Sequence, residues 1–120
     1  MWGITMIVKS REARKIAFEG LEIQDYTPGH NHSSSLALVE IPPGVRHRRA
    51  RSERSDKYYF VIEGKIRFTL GSDDNLLEGG DFCLVPKGVP FGYRNDTRFK
   101  AVLLLVHTPG FELSAEVFED

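Results

Sequence analysis

Residues 80–95 read GDFCLVPKGVPFGYRN, with Gly80 and Asp81 at the start, Pro86 and Gly88 in the middle, and Phe91 and Asn95 at the end. The middle of this stretch cannot be regular structure. Pro86 and Pro90 have no backbone donor, and Gly88 between them supplies the backbone freedom that a turn needs. The mostly apolar stretches on either side, 81–85 and 91–93, then read as short strands.

The same alternation of short apolar runs and turn residues extends in both directions. Ser35–Ile41 is a β-type run stopped by Pro42-Pro43-Gly44, and 58–62 (YYFVI) is dense in aromatic and β-branched residues and closed by Glu63-Gly64. Lys65–Leu70 alternates Lys65, Arg67 and Thr69 with Ile66, Phe68 and Leu70, the period of two of a half-buried strand. Residues 71–75 (GSDDN) read as a hairpin turn, and 100–107 completes the series. Regularly spaced short strands predict an all-β sandwich or barrel. Helical signal is nearly absent: residues 8–19, with Ser10 as a candidate N-cap, could make a short helix, but their apolar spacing is poor. The tail 114–120 offers a final turn only, because Ser114 and Glu116 fall one residue short of capping-box spacing.

At 120 residues the chain is sized for one domain, 1–120, with a barrel core over 35–107 and extension strands in 1–34. No internal repeat or linker divides it. The hydrophobic fraction is 41%, and no apolar run approaches a membrane span. Residues 1–15 have no signal-peptide pattern, which makes cytoplasmic the default location. Cys83 alone makes neither a disulfide nor a metal site and reads as a small buried residue. Sixteen Lys and Arg against seventeen Asp and Glu leave a net charge of −1, so no global field draws the chain to nucleic acid or membrane. Five arginines cluster at 46–54 (RHRRARSER), either as a solvated loop answered by Glu53 and Asp56 or as an anion-binding rim. Nucleic acid is not expected there, since the stretch has no interleaved stacking aromatics.

Gly80, Pro86, Gly88 and Asn95 reproduce the Gly-x5-Pro-x-Gly-x2-His-x3-Asn framework of the cupin superfamily, with Phe91 in place of the histidine. Gly44, Gly64 and the YYFVIEG turn resemble the superfamily's first motif. The resemblance implies a cupin-type double-stranded β-helix, a jelly-roll barrel. It also places the usual metal ligands at positions 50, 52, 57 and 91, which here are Ala50, Ser52, Lys57 and Phe91. A methyl and a phenyl offer no lone pair, a serine hydroxyl is a feeble ligand, and an ammonium repels a cation. No metal in the usual place and no cofactor are expected. A relocated site using His30, His32 and His47 stays open, because His30 and His32 share one face of an extended strand. His47 lies among arginines, whose charge should lower its pKa.

If the resemblance holds, strand parity turns Arg48, Ser52, Lys57, Tyr59, Phe91 and Tyr93 inward, with His107 ending a strand near the barrel mouth. Lys57 would then put a cation near where the metal charge would have been, and Arg48 or Arg51 could add bidentate recognition. The partner this implies is a small carboxylate or phosphate. The alternative for Lys57 is an ion pair with Glu53 or Asp56, or an ammonium reaching solvent. Three functions remain in view: a metal-independent binding module, a metal-independent isomerase-, epimerase- or lyase-like enzyme using Lys57 or Tyr59, or a metalloenzyme built on the relocated histidines. Homodimers are expected, by an N-terminal strand adding to an exposed sheet edge.

Overall fold

The computed structural model describes residues 6–29 and 33–119. Among these, eleven strands form two antiparallel sheets, the all-β architecture that the strand series predicts and the jelly roll that the resemblance implies. One sheet holds, in spatial order, β1 (Arg14–Phe18), β2 (Leu21–Asp25), β3 (Ser35–Ile41), β10 (Ala101–Thr108), β5 (Asp56–Glu63) and β8 (Phe82–Val85). The other holds β11 (Glu116–Phe118), β4 (Arg46–Ser52), β9 (Phe91–Arg94), β6 (Lys65–Leu70) and β7 (Asp73–Glu78). Val39, Ile41, Val61, Ile66, Phe68, Phe91 and Leu103 fill the space between the sheets. Among the described residues no helix is long and apolar enough to cross a membrane.

No α-helix forms over 8–19, as the poor apolar spacing there suggests. A 3-10 turn at Ser10–Glu12 leads into β1, where Ile16 and Phe18 alternate with Lys15 and Ala17 and line the cavity between the sheets. A period of two won over weak helical spacing because β2 follows after only two intervening residues. Glu19 and Gly20, both at positive φ, join the strands in the geometry of a type I′ hairpin. The turn expected at 71–75 is shorter, since Leu70 already pairs with Asp73 and the next residues belong to β7.

The arginine cluster is a strand rather than a solvated loop: β4 pairs with β9 on one side and β11 on the other, with Ala50 and Ser52 buried. Two residues of β4, Arg48 and Arg49, stand against Gly92 of β9, a bulge between the pairs His47–Tyr93 and Ala50–Phe91. A side chain at Gly92 would lie 3.2 Å from the His47 carbonyl oxygen, close enough that the β4 backbone would have to shift by a few tenths of an ångström to admit it. Gly64 is bound still more tightly. Its φ is +82°, and a Cβ there would lie 2.6 Å from the Lys100 carbonyl oxygen.

Asn95, which closes the decisive stretch, is a joint between segments. Its fully buried amide donates to the carbonyls of Ile41 (2.9 Å) and Phe99 (2.8 Å), and its oxygen accepts from the backbone and hydroxyl of Thr97.

Candidate functional site

Between the sheets lies a cavity of about 580 Å³, apolar over most of its wall and set with a few polar groups. Its described lining carries two basic side chains, Arg14 and Lys57, against three acidic ones, Asp25, Glu112 and Glu116. Lys57 on β5 and His107 on β10 are cross-strand neighbours. Glu116 reaches them from β11 in the opposite sheet. The Lys57 ammonium donates to Glu116 Oε1 at 2.6 Å and to His107 Nε2 at 2.9 Å. The two charged side chains are only 3% and 5% exposed.

With Nε2 accepting, His107 keeps its proton on Nδ1 and stays neutral. Burial, reinforced by the Lys57 charge, brings its pKa down to about 3. Burial also lowers the Lys57 pKa, and Glu116 opposes that shift. The sequence reading of Lys57 is corrected here. Its partner is neither Glu53 nor Asp56, which instead accepts the Lys87 backbone N–H, and its charge is answered inside the cavity. Glu116 was missed because it lies in a tail whose local pattern promised only a turn. No spacing in the sequence links it to Lys57, 59 positions away.

His47 forms part of the opposite wall. The β4 bulge reverses parity, so His47 lines the cavity, whereas Arg48, expected inside, pairs with Glu19 at 3.0 Å and lies 4.4 Å over the Phe118 ring. His47 Nδ1 donates to the Arg48 carbonyl at 2.7 Å, leaving Nε2 as the unprotonated nitrogen. The ring packs 5.0 Å from Phe91 and 5.1 Å from Tyr93. Its pKa falls to about 4. The direction is the expected one, but the cause is chiefly burial, with Lys57 and Arg48 as lesser contributors. Tyr59 and Tyr93 line the same cavity, and burial raises the pKa of both phenols, so they remain protonated donors. Ser52 and Phe91 are buried but do not line it.

The cupin-domain family profile matches residues 37–107. This chain belongs to the cupin family. The cupin is 29% identical to an uncharacterized protein of Aquifex aeolicus (strain VF5) over 109 residues, 91% of this chain and 84% of that one. Among solved structures it resembles a Streptomyces Pac13 variant with uridine, at 19% identity, a TM-score of 0.82 and coverage of 98% and 92% of the two chains. Pac13 is described as a unique nucleoside dehydratase. KdgF from Halomonas sp. is 17% identical, with a TM-score of 0.79 and coverage of 88% and 94%. At these identities the structural likenesses carry the fold.

The metal positions of this cupin do not fit a metal. Ala50 and Phe91 are fully buried without a lone pair, and Lys57 brings an ammonium. The Ser52 hydroxyl oxygen already accepts the N–H groups of Arg54 (3.2 Å) and Ser55 (2.9 Å). Among the described residues no three His, Cys, Asp or Glu side chains are grouped so as to hold a metal ion. Of the relocated set, His30 and His32 lie outside the described residues, and His47 has given its Nδ1 to a carbonyl.

Proposed function

We propose that this cupin binds a small polar organic molecule in the cavity and acts on it by metal-independent acid–base chemistry of the lyase or isomerase kind. The observation that carries this reading is His47: a neutral imidazole, fixed in one tautomer by the Arg48 carbonyl, in the wall of an aromatic cavity that also holds two protonated phenols. Nε2 is the base. Tyr59 donates its hydroxyl to Tyr93, and the Tyr93 hydroxyl is the group that hydrogen-bonds an oxygen acquiring charge. A base with a pKa of about 4 removes only a proton that the substrate itself acidifies, as beside a carbonyl. The balance of charges in the lining favours a ligand without a strong net charge of its own. The likeness to a nucleoside dehydratase seen with uridine supports a nucleoside as the first probe, since variants of that enzyme replace one histidine and, separately, two tyrosines.

A second reading is binding without turnover. It is favoured by the absence, among the described residues, of any buried side-chain polar atom without a partner. Exchange of carbon-bound protons in D2O, followed by NMR on uridine and small hydroxy-carbonyl compounds, separates the two. The enzyme reading expects catalysed exchange that falls at least about 100-fold in His47→Gln. Exchange that survives this change, or that needs added metal, overturns it. Thermal stabilisation by a probe with no exchange supports the binding module.

A further inference from the structure

An elimination needs two proton transfers, one from carbon to a base and one to the oxygen that departs, and His47 with Tyr93 serves only the first. The cluster of Lys57, His107 and Glu116 lines the same cavity and has no part in that first transfer. Lys57 stands on β5 and His47 on β4, in opposite sheets. Both nevertheless lie against the Phe91 ring, the ammonium 5.3 Å and the imidazole 5.0 Å from its centroid. A small molecule between the sheets is therefore within reach of both.

An ammonium has three donors, and two are committed here, to Glu116 Oε1 at 2.6 Å and to His107 Nε2 at 2.9 Å. The third is left for an oxygen in the cavity. Both partners are acceptors, and a neutral amine still has two N–H groups, so loss of the third proton breaks neither hydrogen bond. We propose that, on the reading in which His47 is the base, the Lys57 ammonium is the general acid and gives its third proton to the oxygen that leaves carbon. His107 and Glu116 are positioning residues. With a β-hydroxy carbonyl compound, His47 Nε2 takes the proton on the α carbon, and the C–H electrons pass to the carbonyl oxygen, which accepts a hydrogen bond from Tyr93. When they return, the α–β double bond forms and the bond from the β carbon to oxygen breaks. That oxygen takes the Lys57 proton and leaves as water, and nothing is oxidised or reduced. His47 ends as imidazolium and Lys57 as amine, so positive charge crosses the cavity without changing its total. Solvent carries the proton from Nε2 back to Nζ once the product has gone. Burial lowers the Lys57 pKa, which eases the loss relative to an exposed lysine, and Glu116 opposes that shift and keeps the ammonium as the resting form.

Leaving groups of different basicity separate an acid from a structural lysine. With the full chain, elimination is followed on β-hydroxybutanone, whose hydroxyl must be protonated to leave, and on its nitrophenyl ether, whose phenolate leaves without a proton. Lys57→Gln should lower water loss at least about 100-fold, while nitrophenolate release and exchange of carbon-bound protons in D2O stay within about fivefold. His47→Gln should lower all three. Should the buried Glu116 carboxylate prevent Lys57→Gln from folding, the double variant Lys57→Met, Glu116→Gln removes both charges together and should show the same split. An equal fall for both leaving groups would mean that Lys57 only holds the cavity in shape, and undiminished water loss would mean that it takes no part. Either result overturns the proposal. Borohydride trapping of the ketone on Lys57 overturns it as well, because the amine is then a nucleophile. Wild-type protein that exchanges no carbon-bound proton refutes the base itself, and the acid falls with it.

Discussion

Two imidazoles in the cavity wall are kept neutral by burial, and folding therefore excludes protons that the unfolded chain would bind. His47 titrates at about 4 and His107 at about 3 in the folded protein, against 6.5 when exposed. Between those values the unfolded state holds more protons, so stability rises with pH through this window and is complete above about 6.5. At 1.36 kcal/mol per pKa unit the effect is roughly 3 kcal/mol for His47 and somewhat more for His107. The urea midpoint should accordingly fall as pH drops from 6.5 to 4.5, before most exposed carboxylates titrate. His107→Gln should flatten that slope; a midpoint that stays level in the wild type would contradict the neutral imidazoles. His107 was legible as a strand-end residue, but its contact with Lys57 depends on a register that only the paired strands set.

At the scale of elements, the arginine strand and the acidic tail belong together. Arg49 pairs with Glu119 at 3.3 Å, Arg54 donates to the Gly110 carbonyl at 2.8 Å, and Glu53 N–H bonds the Ala115 carbonyl at 2.9 Å. The basic stretch that suggested an anion rim thus holds β11 and brings Glu116 to Lys57. Exposed pairs of this kind contribute about 0.2–1 kcal/mol each. Arg49→Gln with Arg54→Gln should therefore speed proteolysis within 109–119 several-fold without unfolding the barrel. Glu116→Ala should behave differently. It leaves the Lys57 ammonium buried and unanswered, which costs about 3–5 kcal/mol of global stability, seen as a lower denaturant midpoint. Equal effects of the two changes would mean that the tail is held by its backbone pairing alone.

For the whole molecule, the sheets join segments far apart in the chain: β3 with β10, β4 with β9, β5 with β8 and β10. Closing such loops precedes most of the favourable contacts, so refolding should take milliseconds to seconds in stopped-flow fluorescence, and a microsecond phase carrying the full amplitude would contradict this topology. The sequence by itself determined the punctuation of the fold. Pro86, Gly88, Gly64 and the runs at 35–41 and 65–70 act through local backbone geometry, which needs no partner, and Ala50, Ser52, Lys57 and Phe91 spoke against a metal by their chemistry alone. Tertiary structure decided everything that depends on which distant segments meet. Weakly patterned residues became β1, β4 and β11 because an adjoining strand offered hydrogen bonds. One bulge opposite Gly92 put His47 in the cavity and Arg48 outside it, since a single extra residue reverses strand parity. The counter-charge of Lys57 came from Glu116, a contact across two sheets that no local spacing encodes.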